Sequence, residues 1–155
     1  MPQMLVRMNV NGIERDVLVD PDDRLLDVLR DEFGFKSVKE GCGTGDCGLC
    51  TVLMDGKPVL SCIIPAFQAK NRKIVTLEGL NSDPLMKRIQ EKFRKYQAAQ
   101  CGFCTPAMEI MGWDLLKRRK EPTKEEIKEA ISGTLCRCTG YYDIIDAIYE
   151  AGRPE

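Results

Sequence analysis

Eight cysteines and no histidine, in a chain of 155 residues, constrain what this sequence can fold into more than any other feature. The cysteines fall into two sets of four: Cys42, Cys47, Cys50 and Cys62, then Cys101, Cys104, Cys136 and Cys138. A chain this long makes one domain or two small ones. Two lobes of roughly 75 residues each have limited cores, and at that size bound metals often supplement burial. The N-terminus carries Arg7, Glu14, Arg15 and Asp16 and no apolar h-region, so no signal peptide is expected. The apolar runs are far too short for membrane insertion. A cytoplasmic protein is the expectation, and there free thiols bind metal more often than they form disulfides.

The 23 basic and 24 acidic residues leave a formal charge of −1. Neither a nucleic acid nor an anionic membrane is indicated as a partner.

The first half reads as strands. Met4 to Val10 and Ile13 to Val19 flank Asn11-Gly12, and Thr51 to Met54 and Pro58 to Cys62 flank Asp55-Gly56, both strong hairpin signals. Lys73 to Leu77 reads as a further strand. Between the hairpins, Asp22 or Asp23 is positioned to cap a short helix with Leu25, Leu26, Leu29 and Phe33 on its apolar face. After Asn81-Ser82-Asp83-Pro84 the texture changes to helical periodicity. Leu85, Ile89, Phe93 and Tyr96 mark one helix, and Pro106 to Lys120 a second. Thr123 with Glu126 forms a capping box for a third, and Tyr141 to Ala151 a fourth. The expected class is α+β: a β-grasp, ferredoxin-like lobe over residues 1–80, then a small four-helix bundle over 81–155.

The loop 41–50 places Cys42, Cys47 and Cys50 in the C-x4-C-x2-C spacing of plant-type ferredoxins, and Cys62 follows twelve positions later. Glycines let such a loop turn tightly at positive φ and bring main-chain N–H groups against sulfur. Two other readings stand beside an iron–sulfur site. Gly43-x-Gly45-x-x-Gly48 matches a dinucleotide fingerprint, but a strand follows where that motif needs a helix. A four-cysteine zinc site usually builds paired CxxC knuckles, which this triplet is not.

In the second set, Cys101-Gly102-Phe103-Cys104 precedes Thr105 as expected N-cap and Pro106 as expected first helical residue. Both thiols then lie at the positive end of a helix dipole. Cys136-Arg137-Cys138 supplies the other pair. Arg137 either compensates thiolate charge or faces solvent, and zinc stays open as a rival metal.

Three segments in fixed order, EGCGTGDCGLCTV, QCGFCTP and GTLCRCTGY, closely resemble the iron–sulfur subunit or domain of the molybdenum hydroxylases, the xanthine dehydrogenase/aldehyde oxidoreductase family. The resemblance covers essentially the whole chain and all eight cysteines. It departs at Leu49, Ala107 and Thr134, where relatives commonly carry alanine, glycine and asparagine. None of these removes a thiol.

The resemblance implies two 2Fe-2S clusters, one in each lobe, and an electron-transfer subunit that performs no bond chemistry itself. It implies a large molybdopterin (Mo) partner subunit and a medium FAD-binding partner subunit. The helical-lobe cluster would lie nearest the molybdopterin, with Gln100 and Cys138 reaching the pterin. On the residues alone Gln100 reads as well as a plain helix-end amide, so its pterin role rests on the resemblance. A free ferredoxin-like carrier is the alternative. A succinate dehydrogenase-type iron–sulfur subunit would need CxxCxxC runs that this chain lacks.

Overall fold

The computed structural model describes residues 2–153, so Met1, Pro154 and Glu155, the extreme ends of the two expected lobes, lie outside the described residues. Strands β1 (Met4–Val10) and β2 (Ile13–Val19) pair antiparallel, with Val10 opposite Ile13. Asn11 and Gly12 connect them at φ of 55° and 85°, the left-handed pair that a two-residue type I′ turn requires. Strands β3 (Thr51–Met54) and β4 (Lys57–Leu60) repeat the device through Asp55 and Gly56, at 50° and 79°. Strand β5 (Lys73–Val75) runs parallel to β1 and antiparallel to β3, which closes a five-stranded sheet of order β2-β1-β5-β3-β4.

The sheet's inner face carries Val6, Met8 and Val10, packed on Leu25, Leu26 and Leu29. Each such side chain, fully buried, contributes about 1.5–3 kcal/mol. The helix that supplies the leucines, α1 (Leu25–Asp27), runs straight into a π-helical turn at Val28–Glu32. Its N-cap is Arg24, with no side-chain cap. Neither Asp22 nor Asp23 caps it: the Asp23 carboxylate accepts the Asp20 N–H at 2.8 Å instead.

Two strands end sooner than the sequence suggests. β4 stops at Leu60, and Cys62 lies in a 3-10 turn, Ser61–Ile63. β5 stops at Val75 because the Asn11 side chain accepts the Thr76 N–H at 2.9 Å, and Leu77 opens a short helix, α2 (Leu77–Leu80). Asn11 and Thr76 are far apart in sequence, so nothing local signals that stop.

Four longer helices follow: α3 (Pro84–Lys95), α4 (Thr105–Arg118), α5 (Lys124–Ile131) and α6 (Tyr142–Ala151). Met86, Ile89, Met108, Ile127, Ile144 and Ile148 fill their common core, which Leu80 and Leu53 of the sheet lobe also enter. The fold class is therefore α+β, a ferredoxin-like lobe followed by a helical one. Thr123 and Glu126 form the expected reciprocal capping box. In the basic run Lys117 to Lys120 that ends α4, Arg118 pairs with Asp114 at 2.6 Å and Arg119 with Glu126 at 3.2 Å.

Candidate iron–sulfur sites

The first set of thiols sits where the sheet lobe meets the helices. Arg24 anchors the approach, donating to Asp27 and to Glu40, each at 2.7 Å. The loop then turns on Gly43, Gly45 and Gly48, all at positive φ (70°, 86° and 73°). Its curl aims three main-chain N–H groups at one sulfur: Thr44, Asp46 and Cys47 reach Cys42 Sγ at 3.4, 3.3 and 3.4 Å. The Thr44 side chain also stands beside that sulfur, although its hydroxyl proton goes to Asp46 at 2.5 Å. The Thr44 side chain first, then the Thr44 and Cys47 N–H groups, draw the Cys42 thiol down to about 6. Cys47, Cys50 and Cys62 are buried. Burial, then the adjacent Cys50 thiol, pushes Cys62 up to about 11.

The second set gathers at the start of α4 and α6. The helix begins one residue earlier than the sequence suggests. Cys104, not Thr105, is the N-cap, because its backbone is already helical and its carbonyl accepts the Met108 N–H at 3.0 Å. Thr105 lies inside the first turn, and its buried Oγ1 has no partner. Burial, then the neighbouring Cys136 thiol, pushes Cys104 up to about 12. Cys138 and Cys101 are exposed, with their sulfurs 3.5 Å apart. Arg137 between the last two cysteines is exposed and lines the same groove.

Around Cys136 two side chains contribute that the motif reading missed. Thr139 places its Oγ1 3.1 Å and its N–H 3.5 Å from Cys136 Sγ. The Tyr141 hydroxyl accepts the Cys136 N–H at 3.0 Å. Burial works against a Cys136 thiolate, yet the Thr139 contacts outweigh it and lower that thiol's pKa. The signal was legible in principle: a threonine three residues after a cysteine, followed by a glycine, marks a tight turn back onto the sulfur.

The two sites adjoin. One groove of about 270 Å³ is lined by Cys42 and Cys47 together with Cys101, Cys104, Cys136 and Cys138. The Leu135 N–H donates to the Cys47 carbonyl at 2.9 Å, joining the two cysteine segments through their backbones. The closeness depends on Gly48, where a Cβ would stand 2.2 Å from the Gly133 carbonyl oxygen.

The donor sets suit binuclear clusters. A structural zinc site would gather four sulfurs around one centre. The thiols stand in twos instead: Cys42 by Cys47, Cys50 by Cys62, Cys101 by Cys138, and Cys104 by Cys136. Two sulfurs for each iron is what a 2Fe-2S cluster takes, and N–H donors turned onto sulfur offset its negative charge.

Comparison with known proteins agrees. Residues 8–74 match the 2Fe-2S iron-sulfur cluster binding domain, and residues 76–149 the [2Fe-2S] binding domain. The nicotinate dehydrogenase small FeS subunit of Eubacterium barkeri is 46% identical, over 96% of this chain and 94% of that protein. The crystal structure of quinoline 2-oxidoreductase from Pseudomonas putida 86 superposes with a TM-score of 0.92 at 41% identity, covering 98% of this chain and 94% of that one. The aldehyde oxidoreductase of Desulfovibrio desulfuricans contains the same fold as 17% of a longer chain, with a TM-score of 0.88 and 39% identity over 98% of this chain. Taken with the two four-thiol sites, these likenesses place the chain among the iron–sulfur small subunits of the molybdenum hydroxylases, the xanthine dehydrogenase/aldehyde oxidoreductase family, as a 2Fe-2S electron-transfer subunit working in a complex with larger subunits.

Proposed function

We propose that this chain carries electrons in line from a large molybdopterin-binding subunit to a medium FAD-binding subunit, in the cytoplasm. Cys42, Cys47, Cys50 and Cys62 hold the cluster on the flavin side. Cys101, Cys104, Cys136 and Cys138 hold the one on the molybdenum side. Bound there, the clusters supply reversible one-electron storage. The chain's own part is to space the two sites, shield them and set their potentials through hydrogen bonds.

The observation that carries this reading is the adjacency of the sites, with a shared groove and the 2.9 Å bond from Leu135 to the Cys47 carbonyl between them. Gln100 and Cys138 are the pterin-facing residues. Both are exposed, and Gln100 also lines an open cavity of about 860 Å³ with Arg94, Gln97 and Glu109. Exposed apolar side chains support docking of larger subunits around the sites: Ile63 (57% exposed) beside Gly45 of the first loop, and Phe103 (42%) and Leu135 (52%) at the second. Among the described residues no helix is long and apolar enough to cross a membrane. A freely diffusing carrier is not favoured, since the similar chains are small subunits of dehydrogenases.

The test is iron and acid-labile sulfide content, with EPR of the reduced protein purified without air. Two distinct binuclear signals are expected, together with co-purification of a molybdenum-containing and a flavin-containing subunit. A zinc-loaded, EPR-silent protein, or one that purifies active and alone, would overturn the proposal.

A further inference from the structure

Gly140 and Tyr141 lie at φ of 63° and 73°, two consecutive left-handed residues just before α6. For glycine this conformation is ordinary, but for a bulky tyrosine it is a steric outlier, retained only where the surroundings over-determine it. What surrounds Tyr141 is a closed ring of hydrogen bonds on Cys136. The chain doubles back so that the Tyr141 hydroxyl accepts the Cys136 N–H at 3.0 Å. The Tyr141 N–H in turn donates to Thr139 Oγ1 at 3.1 Å. Thr139 Oγ1 lies 3.1 Å from Cys136 Sγ. The Tyr141 carbonyl accepts the Ile145 N–H at 2.9 Å, and its ring packs on the helical core, so the clasp is fastened to the fold at its far end.

The ring has a direction. A hydroxyl has one proton and two lone pairs. The Tyr141 N–H occupies one lone pair of Thr139 Oγ1, which leaves the other lone pair and the proton for the sulfur. A metal-ligating thiolate has no proton to give, so the hydroxyl must be the donor. The hydroxyl near the first site behaves differently, since Thr44 gives its proton to Asp46 at 2.5 Å.

We infer that Thr139 is a positioning and potential-setting residue for the helical-lobe cluster, its hydroxyl aimed at the Cys136 thiolate by the left-handed Tyr141. This rests on Cys136 being a cluster ligand. A donor to a ligand sulfur stabilises the more negative, reduced cluster and so raises its potential. The helical-lobe site thereby takes an electron more readily, and the other site keeps its own setting.

The experiment is an EPR-monitored redox titration of the full-length, cluster-loaded protein. Thr139→Val keeps the shape and removes the donor. At a fixed applied potential it should lower the reduced-to-oxidised ratio of one signal roughly tenfold, about 59 mV for a one-electron couple, and leave the other signal in place. Thr139→Ser retains the hydroxyl and should titrate as wild type. Thr139→Ala repeats the deletion with a smaller side chain, so poor folding of the valine variant does not remove the test. Tyr141→Phe keeps the N–H on Thr139, so the potential should hold while iron is lost severalfold faster to a chelator. Unchanged potentials in both deletion variants, equal shifts of both clusters, or a serine variant shifted as far as valine would overturn the inference. A wild-type protein without labile sulfide would instead overturn the cluster assignment beneath it.

Discussion

The sheet lobe and the helical lobe each hold four thiols, but they build those sites from different parts of the chain. In the first lobe the groups turned onto Cys42 are N–H groups of a loop whose glycines lie at positive φ. In the second lobe two short segments meet at helix starts, and side chains from Thr139 and Tyr141 hold Cys136. The difference teaches where each site is vulnerable. A site held mainly by backbone N–H groups is most vulnerable where a glycine gains a Cβ. A side-chain-built site fails when a hydroxyl is lost.

The largest effect expected from that contrast is at Gly48. Gly48→Ala places a Cβ 2.2 Å from the Gly133 oxygen and 2.9 Å from the Thr134 Cα, at a φ of 73°. Both obstacles are backbone, so the two lobes must part. A loss of roughly 3 kcal/mol or more in chemical denaturation should accompany weakening of both EPR signals. Retention of both signals at wild-type stability would mean the sites do not depend on that approach.

Next come the proposed ligands. Cys138→Ser should abolish the helical-lobe signal and stop reduction of this subunit by substrate, while Cys47→Ser should remove only the other signal and block electron delivery to flavin. Identical spectra for the two variants would dissolve the comparison.

Buried side-chain chemistry also predicts a pH dependence belonging to the helical lobe. Burial raises the Glu109 carboxyl from 4.5 to about 7, against the opposing pull of the Gln90 side chain and Arg94. An acid whose folded pKa exceeds its unfolded value binds more protons when folded. Its contribution is therefore complete below about pH 4.5 and is lost as pH rises through about 7. The unfolding free energy should fall between pH 5 and pH 8, by up to about 3 kcal/mol, and Glu109→Gln should flatten that slope. A slope undiminished in the variant would assign the dependence elsewhere.

The smallest effect is at Thr123. Thr123→Ala removes the Oγ1 that accepts the Glu126 N–H at 3.2 Å, and should cost about 1 kcal/mol, seen as a modest fall in Tm with both EPR signals intact. Loss of the helical-lobe signal would show α5 to be coupled to the site more tightly than its capping suggests.

Much of this molecule is legible one segment at a time. Asn11-Gly12 and Asp55-Gly56 declare hairpins because left-handed φ is inexpensive there. Thr123 and Glu126 declare a helix start because both partners of the capping box lie within one turn. Boundaries slipped where a competing contact intervened, in one case from far along the chain. Thr76 leaves the sheet because Asn11 takes its N–H, and Asp23 does not cap α1 because Asp20 has claimed its carboxylate. Thr105 lost the N-cap position to Cys104, whose backbone was already helical.

By itself, then, the order of residues determined the hairpins, the helices, the thiol spacing and the family likeness, since each rests on φ preferences, periodicity or motif within a short stretch. Only the tertiary structure decided that the Cys47 carbonyl meets the Leu135 N–H, that Gly48 lies against Gly133, and that Tyr141 turns Thr139 onto Cys136. The first two contacts join residues some eighty-five or more positions apart in the sequence, and the third needs a left-handed tyrosine that no local preference favours. The first two form where the lobes pack together, and the third where the helical core holds the Tyr141 ring against the local cost.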